Sequence, residues 1–404
     1  VNMTNAIVIF VRTVGYEDYA QLQGGYPIGY LRVAFEVGII SKNTAVNTNN
    51  LQYDDFVRLI YNSLNVELLV RTSVFGDSVR YDARKGNTLL SQVFNAEYVE
   101  GRVIGTNDTK YYSDEWVGEE NCVEINGTIY QVGKTSINDY LGQHINGYAR
   151  VDEGANKYTL LTAYPSKKNT VTTINDMDFI SCSGNTVYYD DQGRTQSLKV
   201  SETTNVIYNS KFLNKYHNVS LSELWPKYGK VAFIDADADG IYEIIHIHKK
   251  DVALVKSYNA YNEKIICEDG QILDLNISER RIAKVKYENN WKEMKNFKFS
   301  TGMILEYEES MDKSILKIEA STNKIEGTIT SVSDMEFSVD GNVYKFAEII
   351  DKTSDLMGKH GTFYLNDEQV IIYIDLSVTA PDEMYGYLIA LKKKDIDDSV
   401  KLKL

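Results

Sequence analysis

The chain has 404 residues, 43% apolar and 25% charged, with a formal net charge of −14. That length exceeds one ordinary core and predicts roughly two to four domains. The acidity excludes a nucleic-acid binder built on a basic footprint; it fits solubility outside the cell and contact with divalent cations. No apolar run approaches the roughly 20 residues needed to span a membrane, so no membrane span is expected. Ala6 to Val14, the greasiest early stretch, is short, carries Arg12 and lacks a cleavage site. The chain opens on Val1 inside a helical pattern, so an N-terminal part is expected to precede it, where a secretion signal would stand. Cys122, Cys182 and Cys267 are far apart and odd in number, which gives no disulfide framework or CxxC metal pattern; small buried hydrophobes are the expectation. Tyr is frequent at 30 and Pro rare at 4, which favours half-buried strands and short, packed connections between domains.

Residues 1–72 predict a small helical module. Ala6, Ile7, Phe10, Val11 and Val14 follow a helical spacing that Gly15 ends. The cluster Gly24-Gly25-Tyr26-Pro27-Ile28-Gly29-Tyr30 reads as a turn. Leu31, Val33, Ala34, Val37 and Ile39 predict a second helix. Asp54 is placed to cap a third, with Phe56, Val57, Leu59, Ile60 and Leu64 on its apolar face. Tyr16, Tyr19, Tyr26, Tyr30 and Trp116 are candidates for stacking on sugars, with core packing the expected use.

From about residue 72 the period changes to that of strands, as in Val123-Glu124-Ile125 and Thr128 to Val132. Asn126-Gly127, Asp269-Gly270 and Asp340-Gly341 sit between apolar alternations and predict three hairpins. Val99-Glu100-Gly101-Arg102-Val103-Ile104 resembles Ile325-Glu326-Gly327-Thr328-Ile329-Thr330. Each is followed by a hairpin, then by an acidic turn with a glycine (Asp139 to Gly142, Asp355 to Gly358), then by a strand pair (Gly147 to Ala163, Gly361 to Leu376). Four features recurring in order predict true repetition. A looser copy runs from Leu254 to Ile318, and another is expected to begin at Tyr385-Gly386-Tyr387-Leu388. Units of this size suggest a small barrel or sandwich. The segment 171–250 separates two copies and holds a short helix candidate, Ser220 to Trp225, stopped by Pro226.

One motif carries sharp chemistry: Asp235-Ala236-Asp237-Ala238-Asp239-Gly240-Ile241-Tyr242-Glu243. Carboxylates at alternating positions converge on one side of a tight loop, and Gly240 permits the turn. The Ile241 carbonyl and the Glu243 carboxylate would complete an oxygen shell of the kind hard Ca²⁺ takes. His246 stands where an EF-hand needs its bidentate Glu, so this is a hairpin loop, not an EF-hand. The alternative is a plain acidic turn after Phe233-Ile234. His246 and His248, two apart on one strand face, suit zinc only with further ligands, and a sheet face is the expected use. His144, His217 and His360 are scattered. No GxSxG, HExxH, Walker-type or GxGxxG pattern occurs, so a non-enzyme is expected. The sequons at Asn107, Asn126, Asn218 and Asn276 read as turn composition.

The first 70 residues resemble an S-layer homology array. Val1 to Ala6 stand where such modules start a helix with I-T-R-A-E-A. Gly24 to Leu31, with Val37-Gly38-Ile39-Ile40, is similar to the middle seen in clostridial surface proteins. Leu51 to Phe56, with Leu59-Ile60-Tyr61-Asn62-Ser63-Leu64, is similar to the next helix. The resemblance implies a cell-surface protein whose modules bind anionic wall polysaccharide through an Arg. Met3 and Tyr53 stand at the corresponding positions, so wall anchoring is expected from the preceding part.

The expected fold is multidomain α+β: 1–72 an S-layer-homology-like helical module, 73–170 a β domain, 171–250 a β segment with the Asp-rich loop, 251–323 and 324–380 two further β domains, and 381–404 the start of another β unit. The expected function is a secreted, self-assembling structural protein of the cell surface (lattice, sheath or filament), stabilised by Ca²⁺. A glycan-binding adhesin, a cell-wall hydrolase without a recognisable motif and a virion or tail component are the alternatives.

Overall fold

The computed structural model describes residues 2–44, 51–75, 78–152, 154, 157–213, 221–333, 336–347, 349–350, 356–376, 390–393 and 400–403; for 71–75, 78–80, 84, 390–393 and 400–403 it describes the backbone alone. The chain divides into two compact units, Val1–Asn107 with Trp116–Asn169, and Asp108–Glu115 with Thr170–Leu404.

The first unit opens with α1 (Met3–Thr13), α2 (Glu17–Leu22), α3 (Ile28–Glu36) and α4 (Tyr53–Leu64). Asn2 caps α1, its side chain accepting the Asn5 amide at 2.9 Å. Gly15 ends the first helical segment at φ +86°, and a Cβ there would lie 2.4 Å from the Leu69 carbonyl oxygen. Ile7, Val11, Tyr30, Val33, Ile39 and Leu59 meet in one core. Two expectations change here. Gln52 occupies the N-cap of α4, and Asp54 falls in its first turn, where its charge favours the helix dipole. Of the expected apolar face only Leu59 is buried, while Phe56, Val57 and Ile60 are 42%, 43% and 38% exposed. A hairpin follows, β1 (Glu67–Phe75) and β2 (Ser78–Thr88), then α5 (Leu89–Phe94), capped by Thr88.

The first β module holds β3 (Ala96–Gly105), β4 (Cys122–Ile125), β5 (Thr128–Gln131), β6 (His144–Asp152) and β7 (Lys157–Pro165). β3 pairs with β4 and β6, β4 with β5, and β6 with β7, all antiparallel; β5 runs parallel to β7. The sheet closes. Numbered one to five, its strands run 1-2-3-5-4 and back to 1, the connectivity of a five-stranded Greek-key barrel of the oligonucleotide/oligosaccharide-binding (OB) type.

The second unit repeats that connectivity three times. The second module comprises β8 (Thr170–Asn175), β9 (Phe179–Ser183), β10 (Thr186–Asp191), β11 (Arg194–Tyr208), β12 (Lys211–Phe212), β13 (Gly229–Asp235) and β14 (Ile241–Lys249). Its first strand is broken into β8 and β9 by a 3-10 turn at Asp176–Asp178. β8 pairs with β13, β9 with β10, and β11 runs parallel to β14. A helix, α6 (Leu221–Leu224), falls before β13, and Ser220 of its predicted start lies outside the described residues.

The third module comprises β15 (Asp251–Asn259), β16 (Lys264–Cys267), β17 (Ile272–Asp274), β18 (Ile282–Tyr287), β19 (Asn290–Glu293), β20 (Ile304–Glu309) and β21 (Ile315–Ser321). The fourth comprises β22 (Lys324–Val332), β23 (Glu336–Val339), β24 (Asn342–Lys345), β25 (His360–Leu365) and β26 (Ile371–Asp375). The third adds the β18–β19 hairpin, with β18 parallel to β21. In the fourth, a parallel bridge from Phe346 to Ile371 joins the strand-three side to strand five. One residue, Lys250, separates β14 from β15, and two separate β21 from β22, the short connections that few prolines predict. A last hairpin, β27 (Ala390–Lys393) with β28 (Val400–Lys403), follows. Asp355 and the predicted repeat start at Tyr385 to Leu388 lie outside the described residues.

The repetition reaches individual hydrogen bonds. The amides of Gly142, Gly302 and Gly358 each donate at 2.8 Å to a first-strand carbonyl, that of Val103, Val255 and Ile329 respectively. Those three residues return a bond at 2.9 Å to the carbonyls of Gln143, Met303 and Lys359. The glycines sit at φ +85°, +81° and +80°, where a side chain would be strained. Separate apolar cores fill modules two, three and four; in the fourth, Phe337 stacks on Phe346 with centroids 4.1 Å apart, a pair worth about 1 kcal/mol beyond burial.

Candidate metal centre

The Asp-rich loop is the connection between the fourth and fifth strands of module two. β13 and β14 pair with Ile234 opposite Ile244, so the turn spans Ala236 to Gly240. Asp235, the last residue of β13, is 1% exposed. Its Oδ1 accepts the amides of Asp237 at 3.2 Å and Ala238 at 2.6 Å, and its Oδ2 accepts that of Gly240 at 2.9 Å. Asp237 Oδ1 accepts the Asp239 amide at 3.3 Å, and Asp239 Oδ1 accepts the Ile241 amide at 2.8 Å. Glu243, on β14, reaches back so that its Oε2 accepts the Ala236 amide at 3.2 Å. Ala238 and Gly240 take φ +61° and +87°, which coils the loop tightly enough for this.

The result is that one carboxylate oxygen from each of Asp235, Asp237, Asp239 and Glu243 lies within 4.8 Å of the others. Unit charges at that separation repel by roughly 1 to 3 kcal/mol per pair between the limits of water and a protein surface. Each oxygen that accepts one amide keeps a second lone pair. Four such groups suit a hard divalent cation, which takes oxygen ligands and tolerates irregular geometry when it is Ca²⁺. Ile241, expected to add its carbonyl, is the first residue of β14 and stands opposite Lys199 of β11. What the sequence did not reveal is the structural part played by Asp235. Its burial and three amide bonds hold the loop whether or not a cation is bound; the Asx-turn spacing Asp-x-Asp was the available signal.

The other candidates do not converge. Among the described residues no other group of three or more His, Cys, Asp or Glu side chains comes together. The His246 and His248 rings are 6.4 Å apart, and His248 Nδ1 faces Glu308 Oε2 at 3.3 Å. His360 contacts Thr328 and Glu326, and His217 and the sequon at Asn218 lie outside the described residues. Asn126 and Asn276 do occupy turns, at φ +47° and +43°. Cys122 and Cys267 are buried and Cys182 half-buried, all as free thiols; burial pushes Cys182 up to about 11. Tyr30 is fully buried and Tyr16 is 9% exposed, as expected of core residues, whereas Tyr26 is 62% exposed. No helix among the described residues is long and apolar enough to cross a membrane.

No family model matches the chain, and no curated protein matches it. Among solved structures, a multidomain protein with nucleic acid binding domains from Streptococcus pneumoniae TIGR4 is 13% identical, covering 59% of this chain and 76% of that chain, with a TM-score of 0.13. At that score the likeness carries no argument about this chain.

Proposed function

We propose that this chain is a non-enzymatic structural protein of a cell surface, secreted and self-assembling, with Ca²⁺ bound at Asp235, Asp237, Asp239 and Glu243. The observation that carries the reading is repetition: four successive β modules share one connectivity, and three of them share the same pair of glycine-centred hydrogen bonds. Chains of small β modules on very short linkers serve as spacers and lattice elements, because each module buries its own core and presents its outer face to neighbours. A cation at the Asp-rich loop would neutralise four converging acids and tie β13 to β14. The partners on this reading are other copies of the chain, with cell-wall polysaccharide held by a preceding segment. Electron microscopy and light scattering of the purified chain, with millimolar Ca²⁺ and with EDTA, test it. Ordered assemblies are expected with the cation; a monodisperse monomer under both conditions refutes self-assembly.

A second reading, a glycan-binding adhesin, draws on the OB-type connectivity, since such barrels serve oligosaccharide binding in other proteins. Connectivity alone does not define a site. A glycan array separates the two: saturable binding to a defined sugar favours the adhesin.

A further inference from the structure

Glu306, in β20 of the third module, is 5% exposed, and side chains from module two, from the linker and from module four end on it. Tyr228, next to the start of β13 in module two, donates its phenol hydroxyl to the Glu306 carboxylate. Lys250, the one residue between modules two and three, places Nζ 3.5 Å from Glu306 and 3.1 Å from Glu319. Asn366, in the β25–β26 turn of module four, points Nδ2 at Glu306 Oε1 over 3.4 Å. A buried carboxylate stripped of donors is costly. Opening module two or module four would take one donor from Glu306 while the other modules still cover it. Each module therefore raises the cost of opening its neighbour.

A second stitch lies at the same joint. Asn209, 3% exposed, donates to the carbonyls of Lys249 at 3.0 Å and Glu309 at 2.9 Å, and accepts the Lys249 amide at 2.8 Å. Burial pushes the Tyr228 phenol well above its ordinary range, and the Glu306 charge pushes the same way. Tyr228 thus remains a donor over all ordinary pH.

We infer that Glu306 couples modules two, three and four, so that they open as one cooperative body rather than as three independent domains. The inference stands apart from the cation and assembly readings, since none of these residues belongs to the Asp-rich loop.

Hydrogen exchange of the full-length chain, read strand by strand, tests it. In the parent chain the slowest amides of β13–β14, β20–β21 and β25–β26 are expected to share one opening free energy once intrinsic exchange rates are divided out. Tyr228→Phe removes the module-two donor and no apolar surface. Because the three modules open together, it should speed all three strand pairs alike by on the order of ten- to a hundredfold, the range of a hydrogen bond to a charged group. Asn366→Asp is the matching change in module four. Asn366 Oδ1 accepts the amides of Glu368 and Val370, so aspartate keeps the turn and sets a carboxylate against Glu306. It should likewise speed all three strand pairs by a similar factor. Two results overturn the inference: different opening free energies for the three strand pairs in the parent chain, or variants that speed only their own module's strands or none.

Discussion

The Asp340 carboxylate accepts the Thr328 amide at 3.0 Å across the bare α-carbon of Gly327, where a Cβ would lie 2.4 Å from Asp340 Oδ2. Module one does the same with Asn126, which accepts the Arg102 amide at 3.0 Å beside Gly101. Both hairpin residues take φ +47°, each followed by a glycine near φ +85°, the geometry of a type I′ turn. Asp340→Asn should therefore be neutral within about 0.5 kcal/mol, because asparagine keeps the acceptor and tolerates the left-handed region. Asp340→Ala, losing both, should cost about 1 to 3 kcal/mol, as should Gly327→Ala. Denaturant titration of the three variants checks the ranking.

In the Asp-rich loop Asp235 scaffolds the turn in addition to its proposed share in holding a cation. Saturating Ca²⁺ should raise the melting temperature, by an amount equivalent to about 2.7 kcal/mol at a hundred times the dissociation constant. Asp239→Asn should abolish that response and make the metal-free protein somewhat more stable, since its one amide bond survives and its repulsion with the neighbouring carboxylates is lost. Asp235→Ala should destabilise the chain even in EDTA, by about 1 to 3 kcal/mol, because three loop amides lose their acceptor. Calorimetry with and without EDTA reads both effects; no Ca²⁺ response in the parent chain defeats the assignment.

Stability should fall on both sides of neutrality for reasons that lie at the joint of modules two and three. Burial opposes the charge on Glu319, but Lys250 and Lys286 outweigh it and hold its carboxyl below the ordinary range. Burial likewise opposes Glu308, and His248 outweighs it. A depressed carboxyl stabilises fully above its unfolded value, about 4.3, and that contribution is lost as the pH falls through the folded value. Lys250 is shifted the other way: burial lowers it, and Glu306 and Glu319 raise it further. Its contribution is complete below about pH 10.4 and lost as the pH rises through its folded value. Urea midpoints from pH 3 to 11 should show a plateau between these limbs, and Glu319→Gln should flatten the acid one.

The three cysteines should react slowly with a thiol reagent in the native chain and fully after denaturation. Burial raises all three thiols, Cys182 to about 11, so little thiolate forms near neutral pH. Fast native labelling of any one would contradict the described burial.

Local chemistry explains what was legible in the sequence. Asn126-Gly127, Asp269-Gly270 and Asp340-Gly341 each lie between a strand pair, β4–β5, β16–β17 and β23–β24; the first and third are two-residue turns with positive φ, which leave a compositional mark, and the second is a longer turn in which Gly270 takes positive φ. The likeness of Val99–Ile104 to Ile325–Thr330 also holds in space, since Gly101 and Gly327 each face the tip of a hairpin. Module two escaped as a repeat because its first strand breaks at Asp176–Asp178 and its β9–β10 turn, at Gly184, lacks an Asn-Gly or Asp-Gly pair. The apolar stripe of α4 was visible, but periodicity cannot say which part of a stripe meets a neighbour, and the core took Leu59. At the Asp-rich loop, spacing revealed the convergence of carboxylates. The burial of Asp235 depends on the sheet and left no mark.

A single residue between β14 and β15 also limits how such a chain can change in length. Adjacent strand residues point to opposite faces, so one residue inserted beside Lys250 would swing its ammonium away from Glu306 and Glu319 or slip the register of a flanking strand. The module can be copied whole, but the joint between copies behaves like a keyed coupling, with its spacing fixed to the residue.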